Sequence, residues 1–215
     1  GYKETSVRPA SVKLMILGSA LLWFGWFGFN GGSQLAADGI AANALLVTNV
    51  AAARGGLAWL LVEWFTTNSK PTLIGSASGV VSGLVGITPA AGYVDVSGAL
   101  VIGLGSGLVG YFGVVKLKKW LGYDDTLDVF GIHGLVGAFG AIATGIFANP
   151  MVNEGNAGLL YGNPGQVWIQ IQSVLYVSLY SAVATFIIYK VISFILGAGR
   201  VSEEVEKDGM DMAYH

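Results

Sequence analysis

The stretch DVFGIHGLVGAFGAIATGIFAN, Asp128 to Asn149, carries a single ionisable side chain, His133, after its first residue. Nearly every other position is apolar or small. A helix of ~20 such residues is what the hydrocarbon core of a bilayer requires. The segment therefore reads as a membrane span with one histidine inside it, and that reading sets the class of the whole chain.

The composition agrees. Of 215 residues, 53% are hydrophobic and 11% are charged, and the mean hydropathy is +0.64. A soluble domain carries about a quarter charged residues, so lipid is the expected solvent for most of this surface. A net charge of −2 argues against a nucleic-acid partner. There is no cysteine, which excludes a disulfide framework and thiolate chemistry. Thirty-three glycines exceed what soluble helices tolerate, whereas membrane helices use glycine for close approach.

Six apolar segments are legible, at 11–30, 38–66, 72–90, 96–115, 128–148 and 166–197. Turn residues separate them, as in NGGS at 30–33, TTNSKP at 66–71, TPAAGY at 88–93 and NPMVNEGN at 149–156. Backbone groups in lipid must be satisfied within the segment, so each is expected to be a helix. The second and sixth are longer than a bilayer needs and must tilt, bend or protrude. Loops 31–37, 91–95 and 149–165 contain no Lys or Arg. The alternate set holds Lys3, Arg8, Lys13, Lys70, Lys116, Lys118, Lys119, Arg200 and Lys207. The positive-inside rule places that set, and both termini, in the cytoplasm of a multi-pass plasma-membrane protein. The domain layout that follows is a cytoplasmic lead-in at 1–10, a transmembrane body at 11–197 and a cytoplasmic tail at 198–215.

Glycine spacing suggests how the helices meet. Gly75, Gly79 and Gly83 share one face, as do Gly103 and Gly107, while Gly131, Gly134, Gly137 and Gly140 recur every three residues. In an α-helix His133 would share its face with Gly137, Gly140 and Thr144. The imidazole is then expected beside a small-residue seam, facing another helix or a narrow lumen. An ionisable residue at such depth points to a pathway or site, although structural hydrogen bonding is the plainer role. Arg54 lies near the middle of the second segment, and no acidic residue lies within two turns of it on that helix. It is expected to be structural, at a helix or subunit interface. The aromatic run WFGWFGFNGGS closes the first segment. Such a run is commonly an interfacial belt, but rings beside a hydroxyl at a pore mouth also attract a cation.

Four stretches together, LLWFGWFGFNGGS, SGLVGITPAAGYVDVSGALVIG, DDTLDVFGIHGLVGAFGAIATGIFA and GRVSEEVEKDGMD, resemble the ammonium transporter family, the Amt/Mep/Rh group, on its Amt/Mep branch. The resemblance covers nearly the whole chain but only the second half of the family pattern. It implies an all-α membrane protein whose six transmembrane helices correspond to the second inverted five-helix repeat, plus the long last helix, of an eleven-helix transporter. It implies transport of ammonium or ammonia through a hydrophobic, histidine-lined pore after cation recruitment at an aromatic vestibule, and no enzymatic activity or cofactor.

On this resemblance the substrate pathway contains His133 as one of two facing pore histidines, Phe29 as a gating ring, Trp26 as a pore-lining ring and Ser33 as the recruitment hydroxyl. The first repeat's histidine and aromatics have no counterpart here. A companion first-half segment is therefore expected, as a separate chain or as part of a longer polypeptide. The resemblance further implies a homotrimer and a regulatory cytoplasmic face, where a PII signal protein docks. Lys116, Lys118, Lys119, Asp124 and Asp125 are expected on that face, with Asp128 as a structural residue. Two other readings are an ammonium sensor on the same fold and an intramembrane serine protease. The second rests only on SASG at 76–79 and a histidine two helices later.

Overall fold

A computed structural model describes residues 9–66, 70–197 and 199–214. Lys3 and Arg8, residues 67–69, His215 and the side chain of Lys207 lie outside the described residues. All regular structure in the described residues is helical. The chain divides into two compact units.

The first unit, Arg8–Ile171, contains helices α1 (Val12–Gly32), α2 (Gly39–Thr66), α3 (Leu73–Ile87), α4 (Val96–Tyr111), α5 (Lys118–Leu121) and α6 (Val136–Phe147). Two π-helical turns join them. The first, Phe112–Leu117, connects α4 to α5, and the second, Phe130–Leu135, leads into α6. Helix α7 (Gly165–Leu196) begins in this unit. Side-chain caps mark several starts. Ser11, Thr72 and Asp95 accept the N–H groups of Leu14, Gly75 and Gly98, which would otherwise lack partners.

Among the described residues, five stretches are long and apolar enough to cross a membrane: Val12–Gly32, Gly39–Thr66, Val96–Leu121, Phe130–Phe147 and Gly165–Leu196. The third apolar segment departs from the expectation of a full-length span over 72–90. Its helix has 15 residues, about 22 Å at 1.5 Å per residue, and the chain turns at Thr88–Tyr93. This helix is also the central one, with 11 of its 15 residues buried. Protein rather than lipid surrounds it, so it need not match the bilayer thickness.

Glycine faces hold this centre together. Gly55 of α2 lies against Gly79 and Gly83 of α3, with Gly83 so close to Ala51 that a side chain at position 83 would overlap backbone. Gly103 and Gly107 of α4 lie against Ala51, Gly55 and Ala58 of α2. The glycine faces at 75–83 and 103–107 are thus used inside the chain. Ala44, Val47, Ala51, Ile87, Val94 and Ile102 form the core between these helices. At the far end of α2, Glu63 accepts the Thr72 N–H at 2.8 Å and the Trp59 indole N–H at 3.1 Å. This carboxylate ties the end of α2 to the start of α3.

The second unit contains Gln172 onward, the rest of α7 followed by α8 (Glu203–Asp208) and α9 (Met210–Tyr214). The boundary between units falls inside α7. Arg200 pairs with both oxygens of Glu206, at 2.9 and 2.6 Å. That pairing, through hydrogen bonding first, holds the Glu206 carboxyl below the ordinary carboxylate value.

Candidate functional site

The aromatic cluster is built on the last three turns of α1. Trp26 and Phe29 meet edge to face, with ring centroids 5.8 Å apart. The Trp26 indole N–H donates to Thr88 Oγ1 at 2.7 Å, so a residue at the end of α3 sets the orientation of this ring. One turn on, Asn30 donates to Thr48 Oγ1 at 2.9 Å, which fixes α1 against α2. Phe29 is 60% exposed. Ser33 is exposed, and its hydroxyl donates to the Phe29 carbonyl at 2.5 Å. The proton is thereby committed to the backbone, and the oxygen lone pairs remain available to a donor. Gly18, Leu21, Leu22 and Gly25 continue from Trp26 and Phe29 along α1 as an apolar groove of about 540 Å³.

His133 sits within the second π turn and is exposed. Among the described residues no hydrogen-bond partner meets it. Its neighbour Ile132, with Val136 of α6, joins Val81 and Val85 of α3 in a buried cluster against which Trp26 also packs. The histidine turn and the aromatic cluster therefore share one apolar support. Two members of the small-residue seam expected beside His133 are occupied within the helix bundle. Gly140 is pressed against the backbone of Gly86, and Thr144 is buried. The π turn that carries His133 contains one residue more than an α turn and shifts the phase between His133 and α6.

Below the histidine, Lys118 pairs with Asp128 at 2.7 Å and also donates to the Asp125 carbonyl. Asp125 accepts the N–H groups of Val129 and Phe130, each at 2.9 Å. Lys116, Lys119 and Asp124 are exposed. Lys118 and Asp125 are thus engaged within this segment. Arg54 is exposed beside Gly103 of α4, and no acceptor meets it among the described residues.

Several positioning residues escaped the sequence reading. Thr88 and Thr48 look like ordinary span residues, and only their helix partners reveal them. Asp95 and Asn149, 54 positions apart, bond at 3.0 Å and join the start of α4 to the end of α6. The Gly98 N–H, and then the Asn149 carboxamide, hold the Asp95 carboxyl below its ordinary value. The acidic residue at an S/T/D/N-type helix start was the one available signal.

Apolar helices joined through glycine faces, with an exposed aromatic–hydroxyl cluster and an exposed histidine, define a polytopic membrane protein of the transporter and channel class. A profile of the Ammonium Transporter Family matches residues 1–215, and the chain belongs to that family. It is 50% identical over 213 residues to an ammonium transporter of Aquifex aeolicus, covering 99% of this chain and 49% of that protein. It is 47% identical to an ammonium transporter of Bacillus subtilis, covering 98% of this chain and 52% of the relative. The chain thus spans about half the length of the curated relatives it matches. The crystal structure of Saccharomyces cerevisiae Mep2 superimposes with a TM-score of 0.86 at 38% identity, over 92% of this chain and 45% of that one. A structure described as a sensor Amt protein superimposes at 0.84 with 30% identity, over 95% of this chain and 49% of that one. Family membership displaces the serine protease reading.

Proposed function

We propose that this chain forms half of a pathway that conducts ammonium or ammonia across the plasma membrane. The observation that carries the reading is its end-to-end match to half of proteins named as ammonium transporters. The chemistry of the exposed groups supports it. The Trp26 and Phe29 rings offer a quadrupole to a cation, and the Ser33 oxygen can accept one of its N–H groups. His133 lies free for a small hydrogen-bonding solute or for a second histidine supplied by the companion half. Ammonium and potassium have similar size and charge, so size cannot separate them. A lumen that penalises ions and offers imidazole nitrogens discriminates by deprotonation, which potassium cannot undergo.

In this reading the complete unit assembles as a trimer with both termini of this chain in the cytoplasm, consistent with the placement of Lys and Arg. Lys116, Lys118, Lys119, Asp124 and Asp125 belong to a regulatory face that takes a PII-type signal protein. Deleting 198–215 should lower flux, and unchanged flux would remove the tail from regulation.

The structural likeness to a sensor Amt protein favours a second reading, an ammonium sensor. Proteoliposomes containing the full-length polypeptide that bears this sequence distinguish the two. A transporter passes ammonium or methylammonium well above the empty-vesicle rate and excludes potassium. Saturable ammonium binding without flux would establish the sensor and reject the transporter.

A further inference from the structure

The turn that carries His133 is an unusual piece of backbone. A π turn has poorer geometry than an α-helix and persists only where its surroundings demand the extra residue. Here both ends are anchored. Beyond the turn, Val136 is fully buried against α3, and Gly140 abuts Gly86. Before it, Asp128 adopts a left-handed backbone conformation, φ 58°, which few non-glycine residues adopt. Its carbonyl accepts the Ile132 N–H at 2.9 Å, while its carboxylate turns away from the helix to meet Lys118 at 2.7 Å. The capping of the first N–H groups falls to Asp125 instead. Lys118 follows directly on the first π turn, and the two π turns touch, because Gly113 lies against Gly131. The histidine turn is therefore bound to its neighbour twice, backbone on backbone at Gly113 and Gly131, and by an ion pair at its entrance.

We infer that Lys118, acting through Asp128, is a positioning residue for His133. The ion pair holds Asp128 in its left-handed conformation. With Asp128 and Val136 both fixed, the residues between them cannot all fit an α register, and the surplus residue is taken up as the π turn. Neutralising Lys118 frees Asp128, lets the segment relax to an α register, and turns His133 by about 100° around the helix axis. The consequence for selectivity rests on the proposed pathway role of His133, whereas the consequence for geometry does not.

The test uses the full-length polypeptide, reconstituted, with two readouts. One is the ammonium-to-potassium permeability ratio. The other is the distance between a nitroxide at position 133 and a reference nitroxide at Gln34, measured in a cysteine-free background whose His133 is replaced only for that measurement. Lys118→Met should move the label by about 5 Å and lower the ratio at least ~10-fold. Lys118→Arg, which keeps the charge, should restore both. Asp128→Asn removes the charge but retains a residue type that tolerates left-handed backbone, and it should reproduce Lys118→Met if that variant does not fold. An unmoved label in the charge-removing variants overturns the inference, whether or not selectivity changes. A moved label with unchanged selectivity upholds the positioning role and rejects His133 as the selectivity element.

Discussion

The indole N–H of Trp26 donates to the hydroxyl of Thr88, 62 residues away, at 2.7 Å, and Thr88 passes its own proton to the Leu84 carbonyl at 2.7 Å. An aromatic residue of the first helix is thereby oriented by the last turn of the third. Replacing Thr88 by Val keeps the volume but leaves the indole N–H without its acceptor, which costs about 1–3 kcal/mol. Thermal unfolding in detergent should show a lower midpoint for Thr88→Val, and Thr88→Ser should recover most of it. Equal midpoints for all three proteins would show that the bond does not hold the ring.

Asp95 gives a pH dependence with a definite sign. Its folded-state pKa lies below the ordinary 3.8 because the Gly98 N–H, and then Asn149, favour the carboxylate. The stabilisation is complete above the unfolded value and is lost as pH falls through the lower, folded value. Asp95→Ala should cost about 1 kcal/mol at neutral pH, the usual effect of losing a helix cap. The gap between parent and variant should close only in strongly acidic solution. A gap that is constant from pH 7 down to pH 3 and below would assign the effect to packing.

At His133 a carboxylate is the informative replacement. If His133 lines the proposed pathway, His133→Asp or His133→Glu places a charge there whenever the group is deprotonated, and this lowers the barrier to intact cations. The potassium-to-methylammonium current ratio should rise about tenfold, equivalent to ~1.4 kcal/mol. If the variant trimer excludes potassium as well as the parent does, His133 is not the selectivity element.

Arg54 lies about 22 Å from the start of α2 and about 18 Å from its end, near the middle of the helix. An unpaired charge in the middle of an apolar span is expensive, and no acceptor meets it among the described residues. Its partner is therefore expected on another part of the assembly. Arg54→Leu should reduce the trimer fraction in native mass spectrometry in detergent, with Arg54→Lys intermediate. A trimer unaffected by Arg54→Leu would take Arg54 out of the subunit contact.

The class and the element order were legible before any coordinates because hydropathy is summed along the chain. Helices α1, α2 and α7 begin and end within a few residues of the apolar segments that announced them. Motifs carried the family for the same reason, since WFGWFGFNGGS and DVFGIHG are contiguous in sequence. The third segment was legible as a helix but not in length. Hydropathy reports that residues avoid water, and it does so equally for lipid-facing and protein-facing positions.

The sequence by itself determined that this is a glycine-rich helical membrane protein with an aromatic run at the end of α1 and a histidine at the start of its fifth span, because each of these is a property of neighbouring residues. Only the tertiary structure decided where those side chains point. The orientation of Trp26 depends on Thr88, the seating of α1 on Asn30 and Thr48, and the conformation of Asp128 on Lys118. The phase of His133 depends on a π turn that no periodicity announces. A π turn is not a preference of the residues within it. It is the surplus left when two ends of a segment are held in place by other helices, and that surplus exists only once the helices have packed.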